Sequence, residues 1–150
     1  MGKTSDWSNI VLKISGLLLN QIKIFGEQSF PEESVGVLFG KSVGDEREVT
    51  EIFPVINSAR KKRTEFSISD SDLKKAENIA GAKNLDIIGF YHSHADFEAV
   101  ASEKDRSFAL PFLSYPIVQV KSGKAAAVKS FAYNGGFSDS YFSEEEIVCL

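Results

Sequence analysis

Cysteine is almost missing from this chain: Cys149 is the only one in 150 residues, which rules out a disulfide framework and a metal site built from several thiolates. A chain of this kind suits a reducing compartment, and a cytoplasmic location is expected. Long apolar runs are missing as well. The run from Ile10 to Leu12 stops at Lys13 and the run from Leu17 to Leu19 stops at Asn20, both too short for a signal-peptide core or a membrane span. Neither export nor a membrane partner is expected. Excess positive charge is lacking too, and a formal net charge of −4 argues against a nucleic-acid polyanion as partner.

What remains is the composition of a soluble globular protein, 43% apolar and 25% charged. Residues 1–150 read most simply as one domain, a length that removes roughly 70% of the unfolded surface from water. Ser15 is placed to cap a first helix in which Leu18, Ile22 and Phe25 share a face and Gly26 lies near the far end. Pro31 opens a turn, "PEES", before the apolar run "VGVLFG", which suits a buried strand. "REVTEIFPVIN" and "EFSIS" read as further strands, with Pro54 marking a bulge or an edge and the cationic run "RKKR" between them. Ser69 to Asp72 start a second helix that presents Leu73, Ala76 and Ile79 on one face and ends at Asn84. "LDIIGFYHSH" is a buried strand, "SEKDRSFAL" a short helix capped by Ser102, and "YPIVQVKSGKAAAVKSFAY" a hairpin turning at Ser122 and Gly123. The tail "YFSEEEIVCL" adds a last strand. The expected class is α/β (α+β): a central mixed β-sheet, two main helices and the short helix near residue 102.

Both histidines of the chain, His92 and His94, stand two apart at the end of an expected strand. Alternate side chains of a strand share a face, so the two imidazoles converge while Ser93 points away. A His-x-His pair alone is more often an ordinary strand feature than a ligand pair. Here it is followed by Ser102 and Asp105, three apart on the first turn of the short helix. Three ligands, His92, His94 and Asp105, would leave the fourth position of a zinc ion open, as catalytic rather than structural zinc sites do.

The pattern His-Ser-His, seven residues, Ser, two residues, Asp resembles the signature of the JAMM (MPN+) zinc metallopeptidases, complete here as His92, Ser93, His94, Ser102 and Asp105. "FPEESVGVLFG" looks like the segment that carries that family's glutamate, with Glu33 at its position. "TEFSISDSDL" and "LPFLSYPIVQV" extend the similarity over nearly the whole chain. The resemblance implies one Zn2+ per chain held by His92, His94 and Asp105, with Glu33 holding and deprotonating the attacking water. It implies that Ser102 stabilises the oxyanion of the tetrahedral intermediate. The chemistry is consistent: zinc lowers the pKa of water toward about 7, and a neighbouring carboxylate takes the proton and passes it to the leaving amine.

Two residues depart from the family pattern, which usually has proline where this chain has Ala95 and Ala101. Without them the loop between is entropically looser. Glu32 competes with Glu33 for the glutamate role, and the spacing from Pro31 favours Glu33. Asp96 and Glu98 are assigned to loop and solvent, the run Arg60 to Arg63 to a solvated loop able to meet an acidic partner. Phe90 and Tyr91 are assigned to core and pocket wall, and Cys149 is taken as inert. A cupin would need a third histidine and a zinc nucleoside deaminase a Pro-Cys-x-x-Cys pair; this chain has neither. By resemblance the substrate is a ubiquitin-like or sulfur-carrier protein with a Gly-Gly C-terminus, cleaved after its last glycine in deconjugation or maturation. The alternatives are release of an amino acid product from a sulfur carrier, and a catalytically silent MPN scaffold.

Overall fold

The computed structural model describes residues 10–96, 98–101, 110, 112–133 and 142–150. Seven strands and two helices run in the order β1 (Val11–Ile14), α1 (Gly16–Ser29), β2 (Val35–Val43), β3 (Glu46–Val55), α2 (Asp70–Ala82), β4 (Asp86–Ala95), β5 (Ser114–Lys121), β6 (Lys124–Tyr133) and β7 (Phe142–Cys149). The sheet is mixed, as expected, and it closes into a barrel in the order β1-β3-β2-β4-β5-β6-β7. Closure depends on β1, whose short apolar sequence gave no strand signal of its own. This four-residue strand pairs in parallel with β3 on one side and β7 on the other, and its Leu12 and Ile14 are buried.

Both helices begin where their caps predict. The Ser15 hydroxyl accepts from the Leu18 N–H at 3.2 Å and the Ser69 hydroxyl from the Asp72 N–H at 3.1 Å, satisfying donors that the first turn of a helix cannot. Asp70 and Asp72 in the first turn of α2 add a favourable charge at the positive end of the helix dipole. Ile22 of α1 packs with Leu38, Ile88, Tyr91 and Val118. Ala76 and Ala80 of α2 pack with Val37, Phe39 and Phe90. Successive residues of β2 thus feed two different cores, as the alternation of a strand requires. At the β5–β6 turn, Ser122 and Gly123 both take positive φ, 50° and 85°, as in the type I′ hairpin connection.

One expected strand is absent. "EFSIS" (65–69) carries no strand: among the described residues it makes a single main-chain bond to the opposite arm, from the Ser58 N–H to the Ser67 carbonyl at 3.0 Å, and a side chain takes the groups a ladder would need. The Glu65 carbonyl accepts from Asn57 Nδ2 at 2.9 Å, and the Ser67 N–H donates to Asn57 Oδ1 at 3.1 Å. Pro54 lies in the part of β3 that pairs with β2 and, among the described residues, with no second strand, the edge position its missing N–H tolerates. The expected short helix over "SEKDRSFAL" falls on residues 102–109, outside the described residues.

Candidate functional site

Strand β4 carries His92 and His94 into the interior, 1% and 3% exposed, and their Nε2 atoms stand 3.1 Å apart. The side-chain alternation of the strand accounts for the convergence. His94 Nδ1 lies 2.8 Å from the main-chain carbonyl of Glu98. A carbonyl only accepts, so Nδ1 carries the proton and the Nε2 lone pair is left to face His92. Glu98, expected to serve only as an exposed acid, thus contributes through its backbone; no residue-type signal could have shown this. Phe66 stacks on the His92 ring at 4.3 Å between centroids and restricts its orientation.

Glu33 reaches the histidines because β2 and β4 are antiparallel neighbours in a register that sets Val35 opposite His92. Just ahead of that pair, the Ser93 N–H donates to the Ser34 carbonyl at 3.1 Å, and the Ser34 N–H donates to Ser93 Oγ at 2.8 Å. The serine between the two histidines, on the opposite face of the strand, therefore locks the peptide that follows Glu33. On its other side Glu33 is held through its own backbone. Its N–H donates to the Lys62 carbonyl at 2.7 Å, and its carbonyl accepts from Asn57 Nδ2 at 3.0 Å. The result is a buried trio, Glu33, His92 and His94, each with one ligand-type atom within 4.8 Å of the others. Glu32 is exposed while Glu33 is 2% exposed, so the neighbour with which Glu33 competed does not join the cluster.

The donor set suits a zinc ion. Two nitrogens bound tetrahedrally at about 2.0–2.1 Å lie about 3.3 Å apart, close to the 3.1 Å between the two Nε2 atoms. The hydrogen bond from His94 Nδ1 to a carbonyl is the kind of outer contact that orients a ligating imidazole. Asp105 and Ser102, the remaining expected site residues, lie outside the described residues. Beside Phe66 is an apolar cavity of about 180 Å3, lined in part by Phe66, Ile68, Leu73, Phe90 and Tyr115. Phe90 and Tyr91 fall into the two cores, and Asp96 caps the β5–β6 turn by accepting from the Ser122 N–H at 2.8 Å. Asn57 was not recognised from sequence. A lone Asn after a strand is ordinary, and only its four contacts, to Glu33, Ala59, Glu65 and Ser67, mark it.

Comparison with known proteins agrees with this geometry. The chain is similar to the desampylase of Haloferax volcanii, 35% identical over 79 residues that make up 53% of this chain and 55% of the desampylase. It thus spans about half the length of that relative. Its fold matches the solution structure of protein DSY2949 from Desulfitobacterium hafniense, with a TM-score of 0.80 at 26% identity over 93% of this chain and 92% of that one. A solution structure of a Salinibacter ruber protein matches with a TM-score of 0.71 at 30% identity, over 92% and 91% of the two chains. The family model for prokaryotic homologs of the JAB domain matches residues 18–133. With that match over most of its length, and with the His-Ser-His strand and its glutamate brought together in the fold, the chain belongs to the compact prokaryotic JAB (JAMM/MPN) family.

Proposed function

We propose that this protein is a zinc-dependent isopeptidase that cleaves after the C-terminal glycine of a ubiquitin-like protein. The observation that carries this reading is the convergence of the Glu33 carboxylate with His92 and His94 at one buried point. Similarity to a desampylase supports the substrate class.

His92 and His94 would hold the ion, with Asp105 as third ligand on the family pattern. When bound, zinc supplies the Lewis acidity that polarises the scissile carbonyl and makes water nucleophilic at neutral pH. Glu33 takes the proton from the attacking water and returns it to the leaving amine, a transfer that requires a carboxylate fixed within hydrogen-bond reach. Lys62 and Asn57 hold the Glu33 main chain and Ser93 the peptide that follows it, which sets the position from which the carboxylate reaches the histidines. Ser102 donates to the oxyanion as negative charge develops there. The apolar cavity beside Phe66 accepts a side chain of the extended tail, whose backbone groups pair along a strand edge and bring one carbonyl to the metal. Glycines at the scissile bond carry no side chain to collide with Phe66, which lies stacked on His92.

The test is cleavage of a ubiquitin-like or sulfur-carrier protein joined through its C-terminal Gly-Gly to a reporter, with casein as a control. Cleavage of the fusion, its loss with a zinc chelator and indifference to casein are expected. Efficient casein digestion without preference for the fusion would recast the chain as a general metallopeptidase.

A further inference from the structure

Four consecutive cations, Arg60, Lys61, Lys62 and Arg63, stand in a chain whose net charge is −4. Among the described residues none of the four makes an ion pair; the pairs present are Lys13–Glu46, Lys41–Asp86, Arg47–Glu145 and Lys83–Glu51. Three of the four are exposed. The loop nevertheless has a defined place. Asn57 gathers its two arms through Ala59, Glu65 and Ser67, and the N–H groups of Thr64 and Glu65 close a turn on the Lys61 carbonyl. The Lys62 carbonyl holds the Glu33 N–H at 2.7 Å.

Lys62 also borders a groove of about 390 Å3 between the end of α1 and the end of β3, lined in part by Gln28, Glu32, Pro54, Ile56 and Tyr91. Tyr91 forms its floor. That side chain is fully buried, and its hydroxyl has no hydrogen-bond partner among the described residues, although a buried hydroxyl is costly to leave unsatisfied. Ile56, by contrast, is 79% exposed at the rim. Two acids belong to the lining, the exposed Glu32 and the buried Glu33, and they are outnumbered by the four cations of the adjoining loop, of which Lys62 lines the groove itself.

We infer that this groove and its cationic loop form a docking site for an acidic segment of the partner protein, adjoining the point at which the tail is cut, since Glu33 borders both. A carboxylate of that segment would sit against Lys62 with the Tyr91 hydroxyl as a donor at the floor. Arg60, Lys61 and Arg63 supply attraction from outside, which governs encounter and partner choice more than the strength of any single contact. Because the Lys62 main chain holds Glu33, an occupant that grips the loop also steadies the general base. The inference rests on the isopeptidase reading for the identity of the partner and not for the existence of the site.

The experiment uses the whole chain and two fluorescein-labelled peptides of equal length, one rich in Asp and Glu, the other with Asn and Gln at those positions. Fluorescence anisotropy should show binding of the acidic peptide and not of its neutral counterpart. Affinity should fall about tenfold with R60E/K61E and by a similar factor between about 50 and 300 mM salt, as for an exposed charge-driven contact. Tyr91→Phe removes only the hydroxyl and should weaken binding severalfold. Equal binding of both peptides, or binding indifferent to R60E/K61E, overturns the inference; loss on charge reversal with none in Tyr91→Phe removes the groove from it. Cleavage of the Gly-Gly fusion by a chain that ignores the acidic peptide defeats docking and leaves the activity standing. Specific peptide binding without cleavage of the fusion does the reverse.

Discussion

Gly36 and Tyr91 face each other across β2 and β4, and the tyrosine ring lies where a β-carbon on residue 36 would have to be. The ring occupies that space as part of the core beneath α1, so glycine at position 36 is a packing requirement and not a matter of backbone torsion. Gly36→Ala should destabilise the fold by about 1–3 kcal/mol or more, the range for overpacking, read as a lower urea midpoint with an unchanged slope. Adding Tyr91→Leu to Gly36→Ala should recover part of the loss. Failure of the double variant to recover any would show that the tyrosine ring is not what excludes the methyl group.

Metal retention and catalysis should separate by residue. H92A/H94A should abolish zinc binding measured by elemental analysis, because the pair would supply two of the three proposed protein ligands. Full occupancy in that variant would remove the assigned site. Glu33→Gln should keep the metal and lose turnover by about two orders of magnitude or more, the scale of a general base. Retained activity would transfer the role elsewhere, Glu32 being the first residue to substitute.

Asn57 should matter to both stability and rate through its hold on the Glu33 main chain. Asn57→Ala leaves the carbonyls of Glu33 and Glu65 and the N–H groups of Ala59 and Ser67 without their partner, at a cost of about 2–4 kcal/mol. Asn57→Asp keeps the acceptor and loses the donor, so it should spare the Ala59 and Ser67 contacts and release Glu33. A fall in kcat in Asn57→Asp larger than its change in KM would mark it as a positioning residue. Equal effects on both would make its role purely structural.

Away from the site, Arg47 and Glu145 form a buried pair at 3.7 Å, with Ser114 accepting from Arg47 at 2.9 Å and Ser130 donating to Glu145 at 2.6 Å. Removing one partner strands the other charge, so Glu145→Ala or Arg47→Met should each cost about 3–5 kcal/mol, and R47M/E145A should cost less than the sum. Burial pushes the Glu145 carboxyl above its ordinary value, against the opposing effects of its serine hydrogen bonds and of Arg47. The native state then holds this proton at pH values where the unfolded chain has released it. The stability that Glu145 contributes is therefore present below the ordinary carboxylate range and declines as pH rises through the raised native value. Unfolding free energies of wild type and Glu145→Gln, measured from acid to neutral pH, should diverge with that sign; a difference flat in pH would mean that the carboxyl is not shifted.

What local sequence determined here was whatever depends on neighbours a few residues apart. Ser15 and Ser69 cap their helices through contacts three residues away, and the I′-type turn at Ser122 and Gly123 is a two-residue event. His92 and His94 converge because a strand repeats every two residues. Glu33 could be singled out by motif, but its meeting with the histidines needed the β2–β4 register, which joins residues 59 apart through Ser34 and Ser93. Strand β1 was hidden for a related reason: four residues carry too little periodicity, and their ladder partners lie far along the chain in β3 and β7. "EFSIS" alternates like a strand, yet Asn57 takes its backbone groups and His92 takes the face of Phe66. Long-range pairing and the competition of side chains for backbone hydrogen bonds decided these features, and neither leaves a periodic trace in the residues it acts on.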